Sequence, residues 1–344
     1  MQLEEIRIKA YDLSTPKYIE SKNYVQWRYD HEQIEVFLYL LTQLPDKERR
    51  LLHKGHMLSL KSYNDSFDSD FVEGVFLTAR YGKQQDIIDV IEYKITGQKG
   101  KNEGGLNEVV FLLDKRSGLL LVQNDDEHVI NREMLQRFFK SKMPFVENYI
   151  KQFNTVNKPM TIPRNAYASI SIVDSKDFFE EIKELSTIKE VYFYADINDS
   201  VNNIAIKYLD TEAKNNKLKN YQKVKISLIN NVRKSSIKHV ESYIRTLMEL
   251  QQYDTFGVIG STETRRKQID FASKFASMSY LVPVHVNENG LINTSELIDE
   301  MVRIAKFENP IEEKMQHFKS AKKVYGDVHE FKLEVAASEN GDRE

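Results

Sequence analysis

Between Phe71 and Gln123 the apolar residues fall into strand-length runs divided by turn signals, and this pattern restricts the fold more than any other feature. Phe71–Tyr81, Ile87–Ile95, Glu108–Leu113 and Leu119–Gln123 are rich in β-branched, aromatic and leucine residues. Gln98–Gly105 reads as a flexible hairpin loop, and Arg116-Ser117-Gly118 as a tight turn. Two earlier segments, Glu5–Leu13 and His56–Tyr63, alternate in the same way, and Asn64-Asp65-Ser66 reads as a turn. One helix interrupts them. Gln33–Leu44 carries Ile34, Phe37, Leu38 and Leu41 at helical spacing, and Pro45 ends it.

Two helices follow. Asn131 caps the first, with Met134, Leu135, Phe138 and Phe139 inward; Pro144 opens the second, with Phe145, Tyr149, Ile150 and Phe153 inward. The proline-bearing segment 154–164 is the expected domain boundary. Beyond it strands and helices alternate. Tyr167–Val173, Glu190–Ile197, Asn203–Leu209, Asp254–Gly260, Gln268–Phe271 and Tyr280–Val286 read as strands. Helices are expected from Ser175, over Ser235–Leu250 and from Asn293 to Phe307, and Asp210–Asn231, which carries both periodicities, is assigned to helix. The expected fold is α+β: a strand-rich domain at 1–157, an α/β domain with a mixed sheet at 158–325, and a mobile acidic tail at 326–344.

The composition excludes several chemistries. There is no cysteine, which removes disulfides, thiolate metal sites and cysteine nucleophiles and fits a reducing compartment. The start lacks a basic, then apolar, leader pattern, and no apolar run approaches the length of about 20 residues that spans a bilayer. A cytoplasmic location is therefore expected. Gly257–Gly260 and Gly104-Gly105 lack the lysine of a phosphate loop, there is no nucleophile elbow, and no histidine pair has ligand spacing. No cofactor and no metal are expected.

Charge segregation is the sharpest local signal. The net charge is −3, yet Lys214 to Arg245 holds nine basic residues and one acidic residue, Glu241. Lys219, Lys223, Arg233, Lys234, Lys238 and Arg245 are the candidate nucleic-acid contacts, with Lys234, Lys238 and Arg245 placed on one outward face of the expected helix. Lysines and arginines so arranged neutralise successive phosphates and release counterions. A weaker excess, seven basic against two acidic residues, runs from Arg132 to Arg164. The competing explanation for both is a solvated face.

A metal-dependent nuclease is the alternative, with Glu92 and Lys94 on a strand preceded by Asp70, Glu73, Asp86 and Asp89. Glu and Lys two apart also make the ordinary polar face of a strand. Arg233 with His239, or Arg50 with His56, has the loose spacing of a metal-free RNase and equally that of surface residues. Tyr24, Trp27 and Tyr29 are read as closing one end of a core.

Three stretches carry a likeness to a known group. They are Phe71–Gly82, the pair Val109–Leu113 with Gly118–Val122, and Val258–Thr262 continued by Ile269–Phe271, Val282–Val286 and the helix from Ser295. Their order resembles RexA-like phage-exclusion proteins of the abortive-infection type, over roughly Phe71 to Phe307. The resemblance implies a DNA-binding, dimeric sensor working with a separate effector, for which a membrane-bound protein is one option. It transfers no active-site residue. The expected function is thus non-catalytic, sequence-nonspecific binding of double-stranded DNA by a homodimer in anti-phage defence. The metal-dependent nuclease and a protein-interaction scaffold are the alternatives.

Overall fold

The computed structural model describes residues 2–22, 24–26, 29–125, 127–163, 166–173, 176–183, 185–196, 204–218, 221, 223–232, 235–249, 255–261, 269–272, 278–311, 322–324 and 328. The chain forms two compact units, one of Met1–Ile170 with Tyr280–Glu344, the other of Ser171–Ser279. The fold is α+β with a strand-rich N-terminal region.

The first unit opens with β1 (Gln2–Ser14), β2 (Lys17–Ile19), β3 (Tyr24–Gln26), α1 (His31–Gln43) and α2 (Asp46–Arg49). It continues with β4 (Leu51–His53), β5 (His56–Asn64), β6 (Phe71–Arg80), β7 (Gln85–Asp89) and β8 (Lys94–Lys99). Next come β9 (Asn107–Asp114), β10 (Leu119–Gln123), α3 (Arg132–Ser141), α4 (Glu147–Val156), β11 (Met160–Thr161) and β12 (Ser169–Ile172). The large sheet runs β12-β1-β10-β9-β6-β5-β4. One face of it meets the helices. Val72, Phe76 and Phe111 from the strands share a core with Ile34, Phe37, Leu135, Phe138 and Phe153. Phe37 stacks on Phe139 with centroids 4.6 Å apart, and Phe76 on Phe111 at 4.5 Å. The segment 154–164 belongs to this unit: β11 pairs with β2, Met160 opposite Ile19. The division between units falls at Ile170/Ser171 rather than near 157.

Lys17 shows how tightly this core is closed. Its side chain is fully buried. The ammonium lies 3.2 Å from Asp30 and 4.4 Å above the Phe153 ring, and it donates to Gln33 Oε1. Burial pushes its pKa down, and Asp30 opposes that shift. Asp30 precedes α1 in extended conformation but makes no side-chain cap; its carboxylate serves the lysine.

The second unit contains α5 (Lys176–Lys183), β13 (Thr187–Asp196), α6 (Ile204–Asn215), β14 (Lys223–Ile229), α7 (Val240–Glu249), β15 (Thr255–Ser261) and β16 (Ile269–Ala272). Its sheet order is β14-β13-β15-β16. The expected mixed sheet is not what forms, since all three pairings are antiparallel. Phe178, Ile182, Val191, Phe193, Ile244 and Val258 make its core. The chain then re-enters the first unit through β17 (Ser279–Val286), which pairs with β1, and α8 (Thr294–Phe307). Asn293 caps α8 as expected, accepting from Glu296 N at 3.4 Å.

Three sequence assignments change in the second unit. Asn203–Leu209, read as strand, lies largely in α6, where Asp210 and Lys214 pair one turn apart at 2.6 Å. Asp210–Asn231, read as helix, is divided between the end of α6 and strand β14. The helix expected from Ser235 starts at Val240. His239 has φ of +59°, a left-handed conformation that an α-helix interior excludes. Upstream, Ile188 N donates to Ser236 Oγ at 2.8 Å and Ile237 N to Ile188 O at 3.0 Å, so the segment is tied to β13 instead.

Candidate nucleic-acid surface and a histidine–carboxylate groove

Lys219, Arg233 and Lys234 lie outside the described residues, and so does the side chain of Lys223 at the start of β14. Lys238 and Arg245 are both exposed but do not share a helix face, because Lys238 precedes α7. Arg245 is also committed locally. It reaches Glu241 at 2.9 Å, one helical turn back, and its guanidinium sits 3.8 Å over the Phe179 ring. Lys225 pairs with Glu190 at 3.0 Å and lies over the Tyr192 ring. Among the described residues of the run, Lys217 and Lys238 are exposed and form no ion pair. Lys238 and His239 edge an open recess of about 440 Å³, walled by Leu228, Ile237, Val240 and Tyr243.

The weaker basic excess is largely structural. Lys142 is buried, and its ammonium donates to the carbonyls of Glu48 and Arg50. Arg137 pairs with Glu133 and Lys151 with Glu147, each at i,i+4. Arg132 donates to Ile170 O at 3.0 Å.

The nuclease pattern is not assembled as expected. Ile87–Ile95 is not one strand; β7 and β8 form a separate hairpin, and Glu92 sits in its turn. Asp89 caps that turn, accepting from Ile91 N at 2.9 Å and Glu92 N at 3.0 Å. Those hydrogen bonds hold the Asp89 carboxyl below its usual range. The tip leaves Val90, Ile91 and Tyr93 each more than four-fifths exposed. His56, a candidate with Arg50, is instead hydrogen-bonded to Arg80 Nε at 3.2 Å. Arg233, the partner considered for His239, is outside the described residues.

A different cluster lies in the first unit. His31 and Glu35 are one turn apart at the start of α1 and therefore share a face. Asp65 joins them from the turn after β5, where Asn64 Oδ1 accepts from Ser66 N at 3.2 Å and fixes the bend. The ligating atoms of the three all lie within 4.8 Å of one another. His31 Nε2 is 3.2 Å from Asp65 Oδ1, and His31 Nδ1 is 2.9 Å from the Tyr29 hydroxyl. Lys115, between β9 and β10, donates to the Asp65 and Asp68 carbonyls at 2.6 and 3.0 Å. Its ammonium also stands 3.3 Å from Asp65 Oδ1.

The environments of the two carboxyls push them apart. Burial and the neighbouring Asp65 charge raise Glu35. Burial would raise Asp65 too, but the hydrogen bond and charge of His31, with Lys115, outweigh it and bring its pKa below normal. Burial, then the nearby carboxylates, keeps the Tyr29 and Tyr63 hydroxyls protonated far above neutrality. Glu35 and Asp65 open onto a groove of about 710 Å³ that Tyr39, Arg49, Lys61 and Tyr63 also line.

The sequence signals do not single out this cluster. A helix expected from Gln33 leaves out His31 and with it the i,i+4 relation to Glu35. Asp65 carries only a turn signal in the sequence. No protein-family model matches the chain, and a search of curated proteins returns no match. No helix among the described residues is long and apolar enough to cross a membrane.

Proposed function

We propose that this chain is a non-catalytic nucleic-acid-binding protein of a cytoplasmic anti-phage system, dimeric and coupled to a separate effector. The observation that carries the binding half is Lys238. It is exposed, forms no ion pair among the described residues, and stands with His239 at the edge of the recess lined by Tyr243, Leu228 and Ile237. A cation beside an aromatic and apolar wall suits a phosphate with its attached sugar and base. The defence context rests on the RexA-like resemblance alone, which is a fold-level argument. A gel-shift series with duplex DNA, single strands and RNA, with and without Mg²⁺, tests the reading. Salt-sensitive binding without cleavage is expected, weakened by Lys238→Glu. Absence of binding by the wild-type chain at low salt removes the reading, and cleavage lost in Glu92→Gln replaces it with a nuclease.

A protein-interaction scaffold is the second reading, favoured by the hairpin tip. Val90, Ile91 and Tyr93 are exposed together on a two-stranded ribbon, an element that is marginal in water by itself. Light scattering on the wild type and on Val90→Ser/Ile91→Ser reports both the expected dimer and whether the tip contributes to it.

A further inference from the structure

We propose that His31, Glu35 and Asp65 bind one divalent transition cation of the zinc or manganese class, with water from the groove completing its coordination. The site is independent of the nucleic-acid reading. One imidazole nitrogen and two carboxylate oxygens form a donor set that suits these ions. The three atoms lie within 4.8 Å of one another. Zinc bonds of about 2.1 Å place ligand atoms about 3.4 Å apart, and His31 Nε2 and Asp65 Oδ1 already stand at 3.2 Å, so only Glu35 would have to close in.

The surroundings are those of a supported site. His31 and Glu35 stand on the first turns of a helix whose inner face is fully packed. Asp65 is held by Lys115, which fastens its own carbonyl and that of Asp68 three residues further on. The Tyr29 hydroxyl takes Nδ1 of His31, so Nε2 is the nitrogen turned toward the carboxylates. A hydrogen-bond partner on the second ring nitrogen fixes the orientation of a ligating histidine. On the other side Glu35 and Asp65 border the open groove, which gives an ion and its waters a route in.

Lys115 works against the ion. Its ammonium is 3.3 Å from Asp65 Oδ1 and competes for that carboxylate. It therefore sets a moderate affinity. It also selects against magnesium and calcium, which depend on oxygen charge and gain less from the imidazole. Removing the Lys115 charge should tighten binding, an effect opposite in sign to removing a ligand.

The experiment is calorimetric titration of the chelator-treated full chain with zinc chloride and manganese chloride, magnesium chloride being the control. One equivalent of zinc or manganese should bind, and magnesium should not. His31→Gln and Glu35→Gln should each weaken binding by about tenfold or more, and Lys115→Gln should strengthen it several-fold. Thermal melts of each variant without metal separate lost ligation from lost folding. In the wild type, zinc should shift the His31 imidazole resonances, a readout that needs no variant. No binding of either ion at millimolar concentration overturns the proposal. So does zinc binding with unmoved His31 resonances and with wild-type affinity in both ligand variants, because the ion then sits on other histidines.

Discussion

The basic run of the second unit and the histidine–carboxylate cluster of the first respond to folding in opposite ways. The run is conspicuous in sequence, yet among the described residues three of its cations are answered by carboxylates, two within one helical turn and one across adjacent strands. Lys214 meets Asp210, Lys225 meets Glu190, and Arg245 meets Glu241. Two of those three pairs are one helical turn apart and lie at the surface, where ion pairs add little to stability. The cluster is inconspicuous in sequence because Asp65 is 34 positions from His31. Folding half-buries these groups, and the neighbouring charges then raise Glu35 and lower Asp65. Counting charge along a chain therefore finds density, whereas coupling between charges follows burial and long-range approach.

The sharpest way to break this contrast is at Lys17. Asp30→Ala leaves a fully buried ammonium without its carboxylate. Removing one partner of a buried pair costs about 3–5 kcal/mol, read as a lowered denaturation midpoint of the first unit. Lys17→Met in the same background should recover most of that loss, because the charge needing compensation is gone. Glu241→Gln, at the exposed pair in the second unit, should cost less than about 1 kcal/mol. Equal losses in the two units would mean that burial does not separate them.

Gly118→Ala is expected to come next. Gly118 has φ of +78°, and an added Cβ would approach Leu13 O to 2.4 Å and the Tyr29 ring to 2.6 Å. Overpacking of this kind costs about 1–3 kcal/mol. Because Tyr29 holds His31 Nδ1, the same change should disturb the His31 imidazole resonances. A destabilised variant with unmoved His31 resonances would show that Tyr29 does not orient the ring.

Much of the first unit was legible before folding because its signals are local. Asn131 and Asn293 cap the helices they were assigned to, and the runs at Phe71, Glu108 and Leu119 are strands of one sheet. The errors have two causes, tertiary context deciding between competing local patterns and a local side-chain turn that apolar periodicity does not show. Val224, Ile226 and Leu228 alternate and also fit a helix; ladder pairing with β13 decides for strand. Ile87–Ile95 looks like one apolar strand, but the Asp89 carboxylate folds its centre into a turn. The candidate site was the least legible part. One ligand was excluded by a helix start two residues late, and another was hidden in a turn signal.

A smaller effect concerns Glu190. The Lys225 ammonium, with the Ser227 hydroxyl at 2.8 Å, holds its carboxyl below the usual range despite opposing burial. The ordinary glutamate value is about 4.3. A depressed folded value means that the stabilisation is complete above that pH and is lost as pH falls through the folded value. Glu190→Gln should flatten the acid limb of stability against pH, by less than about 1 kcal/mol because its partner Lys225 is exposed and the pair is screened by solvent. An acid limb identical in variant and wild type would show that the Lys225 pair does not persist in solution.

The smallest effect on the fold, and the finest test of the contrast, compares Lys238 with Arg245. Both are exposed, but Arg245 is held by Glu241 and lies over Phe179, whereas Lys238 forms no ion pair among the described residues. If Lys238 contacts a phosphate, Lys238→Gln should lower the magnitude of the duplex-DNA salt slope by about 0.9. Arg245→Gln should change it less, because forming a phosphate contact would first require breaking the Glu241 pair. Neither substitution should shift the melting temperature much, since exposed charges contribute little to folding. The loss at Lys238 should be similar on unrelated DNA sequences, because phosphate contacts position a protein without reading bases. Equal slope changes for the two variants would show that local pairing does not silence a basic residue, and the sequence count of the run would then be the better guide to its surface.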